Sequence, residues 1–432
     1  MTDERAGRAR RLWQSVRKET PEAVGDPDSH DNAEVAAMLR ELGIALLEVE
    51  QPTQLVANRL INIGANYTRE KVRVVALPTA LVVQVGSVGY EVEVSNRATI
   101  QLDLAGRVDD IADLASVGAI TPADAVTAVA AARVMQPRFG PIVTVLGYGV
   151  TTIGFGMVIN PTWAALPGYL FLGLVVGAVV MIGRPFPALS PILPTLSAML
   201  VTMLATWFVA DAANDGLLRV ISPPLVAMLP GMAITIGSME LASSEIVAGA
   251  SRLIYGVTQL MLLVFGVALG MHIAGRVDPQ DPSPQMGAWA LYAAIVVVAL
   301  GLYVYLSAPP GSLLWLMAAI GVALIGQEIG GLALPASYSG AVGASLVVPF
   351  AMLGSRLKTS PPAIVLMLAA FWALVPGALS FVSLSEAATG GGADVTTLGT
   401  TVAAVFSIAL GTLVGFSIFH AFDRPVRRKR LE

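Results

Sequence analysis

The stretch SPPLVAMLPG at residues 222–231 interrupts a long apolar run with a Ser-Pro-Pro triplet and then a Pro-Gly pair. A second apolar run has the same pattern, with Ser360-Pro361-Pro362 followed by Pro376-Gly377. Proline removes a backbone donor and glycine loosens the chain. In a membrane helix the freed carbonyls therefore need protein or a water-filled cavity around them. Two such breaks at matching places in two halves of a chain predict a binding site at the bilayer midplane, as in a secondary transporter.

Apolar runs fill the chain from about residue 141 to 419. The 432-residue chain is only 13% charged, with a mean hydropathy of +0.72, whereas soluble domains are about 25% charged. Ten runs approach the ~20 residues that cross a bilayer, and the run at 339–353 is the shortest. They cover residues 141–159, 164–182, 192–209, 217–239, 253–273, 287–306, 313–330, 339–353, 362–384 and 396–419. The sequence therefore predicts an α-helical polytopic membrane protein with about ten transmembrane helices.

The charged residues are concentrated outside the apolar runs and define the other segments. We expect a disordered tail (1–31), a small cytosolic α/β domain (32–136), a first five-helix membrane repeat (137–275), a linker (276–286), a second five-helix repeat (287–420) and a basic cytosolic tail (421–432). In the α/β domain the periodicity predicts helices at 33–47, 53–64, 109–116 and 122–135, and strands at 72–77, 80–85 and 90–94.

The positions of lysine and arginine predict the orientation, because short cytoplasmic loops are enriched in these residues. With the N-terminal domain inside, the outer loops receive Arg219 and Arg276. The inner loops then receive Arg138, Arg184, Arg252, Arg356 and Lys358. An even number of spans places both termini in the cytoplasm, and we expect a multi-pass protein of the cell (plasma) membrane.

The two halves share landmarks in the same order. Residues 180–184 (VMIGR) precede Leu193-Pro194, and residues 323–327 (ALIGQ) precede Leu334-Pro335. Five spans is an odd number, so the halves must have opposite orientations in the membrane. The sequence thus predicts a 5+5 inverted repeat, which is typical of alternating access. Chance similarity between helices rich in small residues is the alternative.

Several classes of function are disfavoured by composition. The chain has no cysteine, its three histidines are far apart, and its net charge is −4. These features argue against disulfides, a zinc cluster and nucleic-acid binding. No Walker A or Rossmann fingerprint is present, so we expect no nucleotide cofactor and no ATP-driven transport. Asp109, Asp110 and Asp113 are interpreted as charges at the N-terminus of a helix, and no catalytic set is apparent.

Hydroxyl groups follow both Pro-Gly breaks. Freed backbone N–H groups can receive a carboxylate, and freed carbonyls with hydroxyls can receive an ammonium. A zwitterionic amino acid needs both. The predicted substrate-binding residues are Pro230, Gly231, Thr235, Ser238, Pro376, Gly377 and Ser380. The alternative is that these hydroxyls only bond their own helix backbone. Tyr148, Tyr303 and Tyr305 are interpreted as packing residues or interfacial anchors.

Two carboxylates are candidates for proton coupling. Glu240 follows the first break and could pair with a nearby arginine, and Glu328 precedes Gly330-Gly331. Ionisable groups at membrane depth are costly and suggest function. The alternatives are a solvated loop charge at Glu240 and an interfacial charge at Glu328.

At these residues the chain resembles the threonine/serine exporter family, over about residues 32–419. One signature is residues 229–234 (LPGMAI), then Glu240, Gly249 and Arg252; the other extends from Leu334-Pro335 to Pro376-Gly377. Thr235 or Ile236 stands where the family often has Asn, and Glu240 where it often has Asp. The resemblance implies proton-driven export of L-threonine or L-serine across the lipid bilayer, without a cofactor. A homo-oligomer is one possible assembly.

Two other functions remain open from the sequence. Some members of the family are similar to exporters of small dicarboxylates such as succinate, and basic residues inside the membrane would favour that function. The sequence places none at the midplane. A membrane-anchored hydrolase acting through the N-terminal domain is the second alternative, but His30 is that domain's only histidine.

Overall fold

The computed structural model describes residues 17–18, 21–24, 30–93, 100–209, 217–275, 283–374, 381–382, 385 and 395–431. The chain divides into two compact units. The N-terminal unit combines the chain up to Gln136 with Pro309–Trp315 and Pro349–Leu366. The membrane unit consists of Pro137–Ala308, Leu316–Val348 and Met367–Glu432.

In the described residues up to Gln136, the N-terminal unit has four helices and one antiparallel sheet of order β1-β2-β3. The helices are α1 (Asn32–Glu48), α2 (Thr53–Gly64), α3 (Leu102–Ser116) and α4 (Pro122–Arg133), and the strands are β1 (Val72–Leu77), β2 (Ala80–Val85) and β3 (Val88–Glu93). Asp31 caps α1 by accepting the Ala33 N–H, and Thr121 caps α4 by accepting the Asp124 N–H. Such caps satisfy donors that the first helical turn leaves unpaired.

A buried ion pair joins α1 to α4. The Glu48 side chain is 1% exposed and accepts two hydrogen bonds from Arg133, from Nε at 3.0 Å and from Nη2 at 2.6 Å. The Glu48 carboxylate raises the pKa of Arg133 above its ordinary value. A two-bond contact between a guanidinium and a carboxylate fixes the geometry of both side chains, so this pair ties α1 to α4.

Helix α3 begins at Leu102, seven residues before the predicted start, and this changes the role of its acidic residues. Asp109 lies mid-helix and is buried, where it accepts hydrogen bonds from Arg59 and Gln51. Arg59 also donates to Asp113 at 2.6 Å. Burial alone would lower the pKa of Arg59, but Asp109 and Asp113 raise it. The interpretation of Asp109, Asp110 and Asp113 as charges at a helix N-terminus is therefore wrong, because the apolar face already starts at Leu102.

The membrane unit is helical, and each predicted apolar run contains a helix. Six described helices are long and apolar enough to cross a bilayer, and a bent pair makes a seventh. Three further apolar helices have 10–17 residues: Leu193–Phe208, Trp289–Tyr305 and Ala363–Ala373. The helices are α5 (Pro141–Ile159), α6 (Leu166–Gly183), α7 (Leu193–Phe208), α8 (Leu217–Leu225), α9 (Gly231–Ala242), α10 (Ile246–Ala274), α11 (Trp289–Tyr305), α12 (Leu313–Gly331), α13 (Ala336–Gly354), α14 (Ala363–Ala373) and α15 (Val395–Leu431). The protein is thus a polytopic helical membrane protein.

The eighth predicted run is longer than the sequence indicated. It was expected at 339–353, but α13 has 19 residues and meets the length and composition of a span. Pro349 lies inside this helix without ending it. Small and polar residues at the start of α13 lower its hydropathy, so the apolar run begins later than the helix does.

Glycines bring α5 and α11, the first helices of the two sequence halves, into near-backbone contact. A Cβ at Gly301 would overlap the backbone of Thr151, and one at Gly154 would overlap Val298. Small residues allow membrane helices to approach in this way. The two halves therefore meet along an antiparallel helix pair.

The two halves also repeat a second packing pattern. In the first half, glycines one turn apart on α10 lie on carbonyl oxygens of α7, at Gly266–Thr195 and Gly270–Met199. In the second half, glycines one turn apart on α15 lie on carbonyl oxygens of α13, at Gly411–Ala341 and Gly415–Ser345. The fifth predicted span thus packs on the third as the tenth packs on the eighth.

Candidate functional site

The first predicted break is confirmed. Helices α8 and α9 meet at an angle of 64°. Between them lie one 3-10 turn (Val226–Met228) and the extended residue Leu229, and α9 begins at Gly231 directly after Pro230. The second predicted break, at Pro376 and Gly377, lies outside the described residues, as does Ser380.

A buried tyrosine supports the broken span. The Tyr148 hydroxyl of α5 donates a hydrogen bond of 2.8 Å to the carbonyl oxygen of Pro224, where α8 passes into the 3-10 turn. The Tyr148 ring packs edge-on against Tyr305 of α11, with 4.8 Å between ring centroids. Tyr148 is 1% exposed, so the Pro224 carbonyl has this donor in place of water. Sequence reasoning identified Tyr148 only as a packing residue, because nothing in the sequence pairs it with the break.

Substituting Tyr148→Phe should lower the apparent melting temperature of the purified protein and slow its transport. The change keeps the ring but removes the donor to Pro224, and a buried acceptor left without a partner costs about 1–3 kcal/mol. Thermal unfolding in detergent measures the loss. The matched control is Tyr338→Phe, since Tyr338 is 48% exposed and should tolerate the change. Equal melting temperatures for the two variants would contradict a supporting role for Tyr148.

A buried ion pair lies beyond the break, between α9 and α10. Arg252 Nε is 3.2 Å from Glu240 Oε2, and the two side chains are 8% and 1% exposed. Glycines make this possible, because a Cβ at Gly237 or Gly249 would meet the backbone of the opposite helix. The helices are consequently close enough to enclose the pair. Ion pairs removed from water are stable only when both partners remain in place.

The positions of Arg252 and Glu240 differ from those that the sequence predicts. Arg252 was assigned to an inner loop, and Glu240 was placed beyond the end of its span, where a solvated loop charge was the alternative. Instead α9 continues to Ala242 and α10 already starts at Ile246, so both residues lie in helices. Their charges lower the local hydropathy, and the apolar runs therefore ended before the helices do. The predicted pairing of Glu240 with a nearby arginine is confirmed.

The two predicted substrate-binding hydroxyls on α9 belong to Thr235 and Ser238. Ser238 donates to the Ile234 carbonyl at 2.8 Å, the self-bonding that was the alternative for such residues. Thr235 is 2% exposed, and its hydroxyl has no hydrogen-bond partner among the described residues. At about 100° per residue, Thr235 and Glu240 are about 140° apart around the helix. The structure therefore brings Glu240 to Arg252 but not to Thr235.

Glu328, the second carboxylate proposed for proton coupling, is exposed on α12. Burial thus distinguishes the two candidates, and only Glu240 is enclosed by protein. The sequence could not separate them, because both lie within two residues of the end of a predicted run, Glu240 just after residue 239 and Glu328 just before residue 330.

Comparisons with known proteins give matches over part of the chain. Residues 37–274 match the family described as "Putative threonine/serine exporter". This range includes the break at Pro230-Gly231 and both members of the Glu240–Arg252 pair. No solved structure matches the chain.

Two fungal relatives are similar over part of the chain. The pheromone-regulated membrane protein 10 of Yarrowia lipolytica is 32% identical over 133 residues, covering 28% of this chain and 11% of the relative. Its counterpart in Debaryomyces hansenii is 30% identical over 150 residues, covering 33% of this chain and 14% of the relative. The matches thus span only a small part of these longer proteins. Because the family match covers more than half of its length, the chain belongs to the threonine/serine exporter family.

Proposed function

We propose that the protein is a secondary active exporter of small hydroxy amino acids, L-threonine or L-serine, driven by the proton gradient through alternating access. The observation that carries this proposal is the enclosed Glu240–Arg252 pair at the far end of the half-helix that begins at the Pro230-Gly231 break. A broken span supplies backbone groups for a zwitterion, and an enclosed carboxylate supplies a group that can take up a proton.

The substrate and the proton occupy opposite ends of α9 in this mechanism. The N-terminus of α9 at Gly231 presents free N–H groups to the substrate carboxylate. The Thr235 hydroxyl, one turn further on, faces the rest of the amino acid. Glu240 is nine residues from Gly231, about 13 Å along the helix, which exceeds the reach of one amino acid. The carboxylate therefore acts through α9 rather than by touching the substrate.

Protonation of Glu240 would remove its attraction to Arg252. The pair holds the C-terminal end of α9 against α10, so a neutral Glu240 would free that end to move. Movement of α9 would alter the site at Gly231. We assign Pro376, Gly377 and Ser380 of the second half to the opposite wall of the same site, by analogy with the first break, and Glu328 to a secondary role in coupling.

Two observations support the architecture that alternating access requires. The repeated glycine packing of α10 on α7 and of α15 on α13 is expected if the halves are an inverted repeat. The N-terminal unit contains 309–315 and 349–366. The proposed orientation places these loops in the cytoplasm together with the N-terminal helices and both termini.

Reconstitution into liposomes tests the substrate. Labelled L-threonine and L-serine should accumulate by counterflow against the unlabelled amino acid, whereas labelled succinate should not. Succinate is the informative comparison, because a basic residue inside the membrane would favour a dicarboxylate. Arg252 is such a residue within a candidate span, although Glu240 already balances its charge. Counterflow of succinate without threonine would identify a dicarboxylate exporter instead.

The energy source is tested in the same liposomes. A protonophore should abolish net threonine efflux that an imposed proton gradient drives, while threonine counterflow, which needs no gradient, should persist. Net efflux that continues unchanged after the gradient collapses would show that transport is not proton-coupled.

A further inference from the structure

Within the N-terminal unit, the segment before α1 attaches to a distant loop. The Lys18 N–H donates to the Arg356 carbonyl at 2.9 Å, and Arg17 pairs with Leu357 in an antiparallel bridge. Further along, the Val24 N–H donates to the Gly118 carbonyl at 2.7 Å, just beyond the end of α3. Arg17 and Lys18 therefore pair with the loop between α13 and α14, and Val24 pairs with Gly118 just beyond the C-terminal end of α3.

Helix α3 contacts the same loop directly. A Cβ at Gly106 would lie 3.3 Å from Val365 Cγ2, 3.5 Å from Pro309 Cγ and 3.7 Å from Pro362 Cδ. Pro362 is the residue immediately before α14, and Val365 is in the first turn of that helix. Ser360, Pro361 and Pro362 are all buried, although the neighbouring Lys358 and Thr359 are exposed. The start of α14 thus packs closely against α3 at Gly106.

The two Ser-Pro-Pro triplets of the sequence consequently have different surroundings. The first lies inside α8, where the Tyr148 hydroxyl contacts Pro224. The second precedes α14 and packs against α3 in the N-terminal unit. Helix α14 ends at Ala373, three residues before Pro376 in the sequence.

We propose that α3 is a releasable clamp on the start of α14, by which the N-terminal unit holds this helix in one state of the transport cycle and frees it in another. The inference rests on the proposed export function. Glycine has no side chain and proline has no N–H, so the contact of Gly106 with Val365, Pro309 and Pro362 is made by apolar atoms. Such a contact can separate without leaving buried polar groups unpaired. In the sequence, α14 is followed by the second Pro-Gly pair, which the proposed function assigns to the substrate site.

A disulfide between α3 and α14 tests the clamp. The chain has no cysteine, so the double variant Gly106→Cys/Val365→Cys contains one thiol pair only. Replacing Val365 also removes the methyl group nearest to the new Cβ, and the site is close enough for the usual Cβ–Cβ distance of about 3.5–4.5 Å. Oxidation should link the pair and reduce net threonine efflux at least tenfold, and a reductant should restore it. The two single-cysteine variants are the controls.

Three results would overturn the clamp. The first is failure of the disulfide to form in folded protein. The second is full transport by the linked protein. The third is equal hydrogen exchange of residues 354–366 in the linked and reduced forms, since a clamp that releases should exchange at least tenfold faster when reduced. The exchange measurement needs no substrate, so a parent protein that exports no hydroxy amino acid would refute the proposed function while the clamp is still tested.

A single substitution tests the clamp without cysteines. Gly106→Ala adds only the Cβ that would press on Val365, and it should speed exchange of residues 354–366 severalfold. Unchanged exchange in this variant would also overturn the clamp.

Discussion

Glu240→Gln should abolish the dependence of threonine export on the proton gradient and also destabilise the protein. Glutamine has nearly the size of glutamate, but it cannot neutralise Arg252, which is buried between α9 and α10. Removing one partner of a buried ion pair costs about 3–5 kcal/mol. Thermal unfolding and the pH profile of efflux from liposomes measure the two effects separately.

A double-mutant cycle separates stability from coupling. Arg252→Met should be destabilising by a similar amount, whereas Glu240→Gln/Arg252→Met should recover much of the loss because no unpaired charge remains. None of the three variants should regain proton-coupled efflux. The control is Glu245→Gln, since Glu245 is only partly buried in the turn before α10 and should cost about 0–1 kcal/mol. If Glu240→Gln keeps the parent's pH profile, Glu240 is not the coupling group.

Gly301→Ala should strongly destabilise the contact between the two halves of the membrane unit. The added Cβ would overlap the Thr151 backbone, which has no rotamer by which to move away. Helices α5 and α11 would have to separate, and overpacking of this kind costs about 1–3 kcal/mol or more. Since this contact joins the two halves, we expect both the melting temperature and the transport rate to fall.

The matched control for this change is Gly399→Ala. Gly399 lies in α15, and a Cβ added there would meet no described atom within 4 Å. Alanine should therefore be neutral at this position, or stabilising by up to about 1 kcal/mol through its better helix propensity. A Gly301→Ala variant as stable as Gly399→Ala would show that the α5–α11 contact is not tight in the folded protein.

The features that the sequence predicts well are those determined by local chemistry. Pro230-Gly231 breaks its span because proline has no N–H and glycine loosens the chain there, whatever lies nearby. The apolar runs locate the helices, because a helix that crosses the bilayer needs about 20 apolar residues whatever it packs against. The strands β1 and β2 match their Val-rich predictions residue for residue.

The features that the sequence misses depend on neighbours in space. Hydropathy ends a span at the first charge, yet Glu240 and Arg252 continue their helices because each neutralises the other. Asp109 was misplaced for the same reason, since Arg59 and Gln51 allow it to be buried mid-helix. The hydrogen bond from Tyr148 to Pro224 links residues far apart in the chain, and no local sequence pattern predicts it.

Helix α9 is short, so a rotation at the bend at Pro230 moves its far end as one piece. Its 12 residues extend about 18 Å from the bend at Pro230 to the end that carries Glu240. A rotation of about 10° at the bend displaces the far end by about 3 Å, which is comparable to the separation across the Glu240–Arg252 pair. In the proposed mechanism, a single protonation of Glu240 would become a small change of angle, which the bend would transmit to the backbone groups beside Gly231 without unwinding any helical turn.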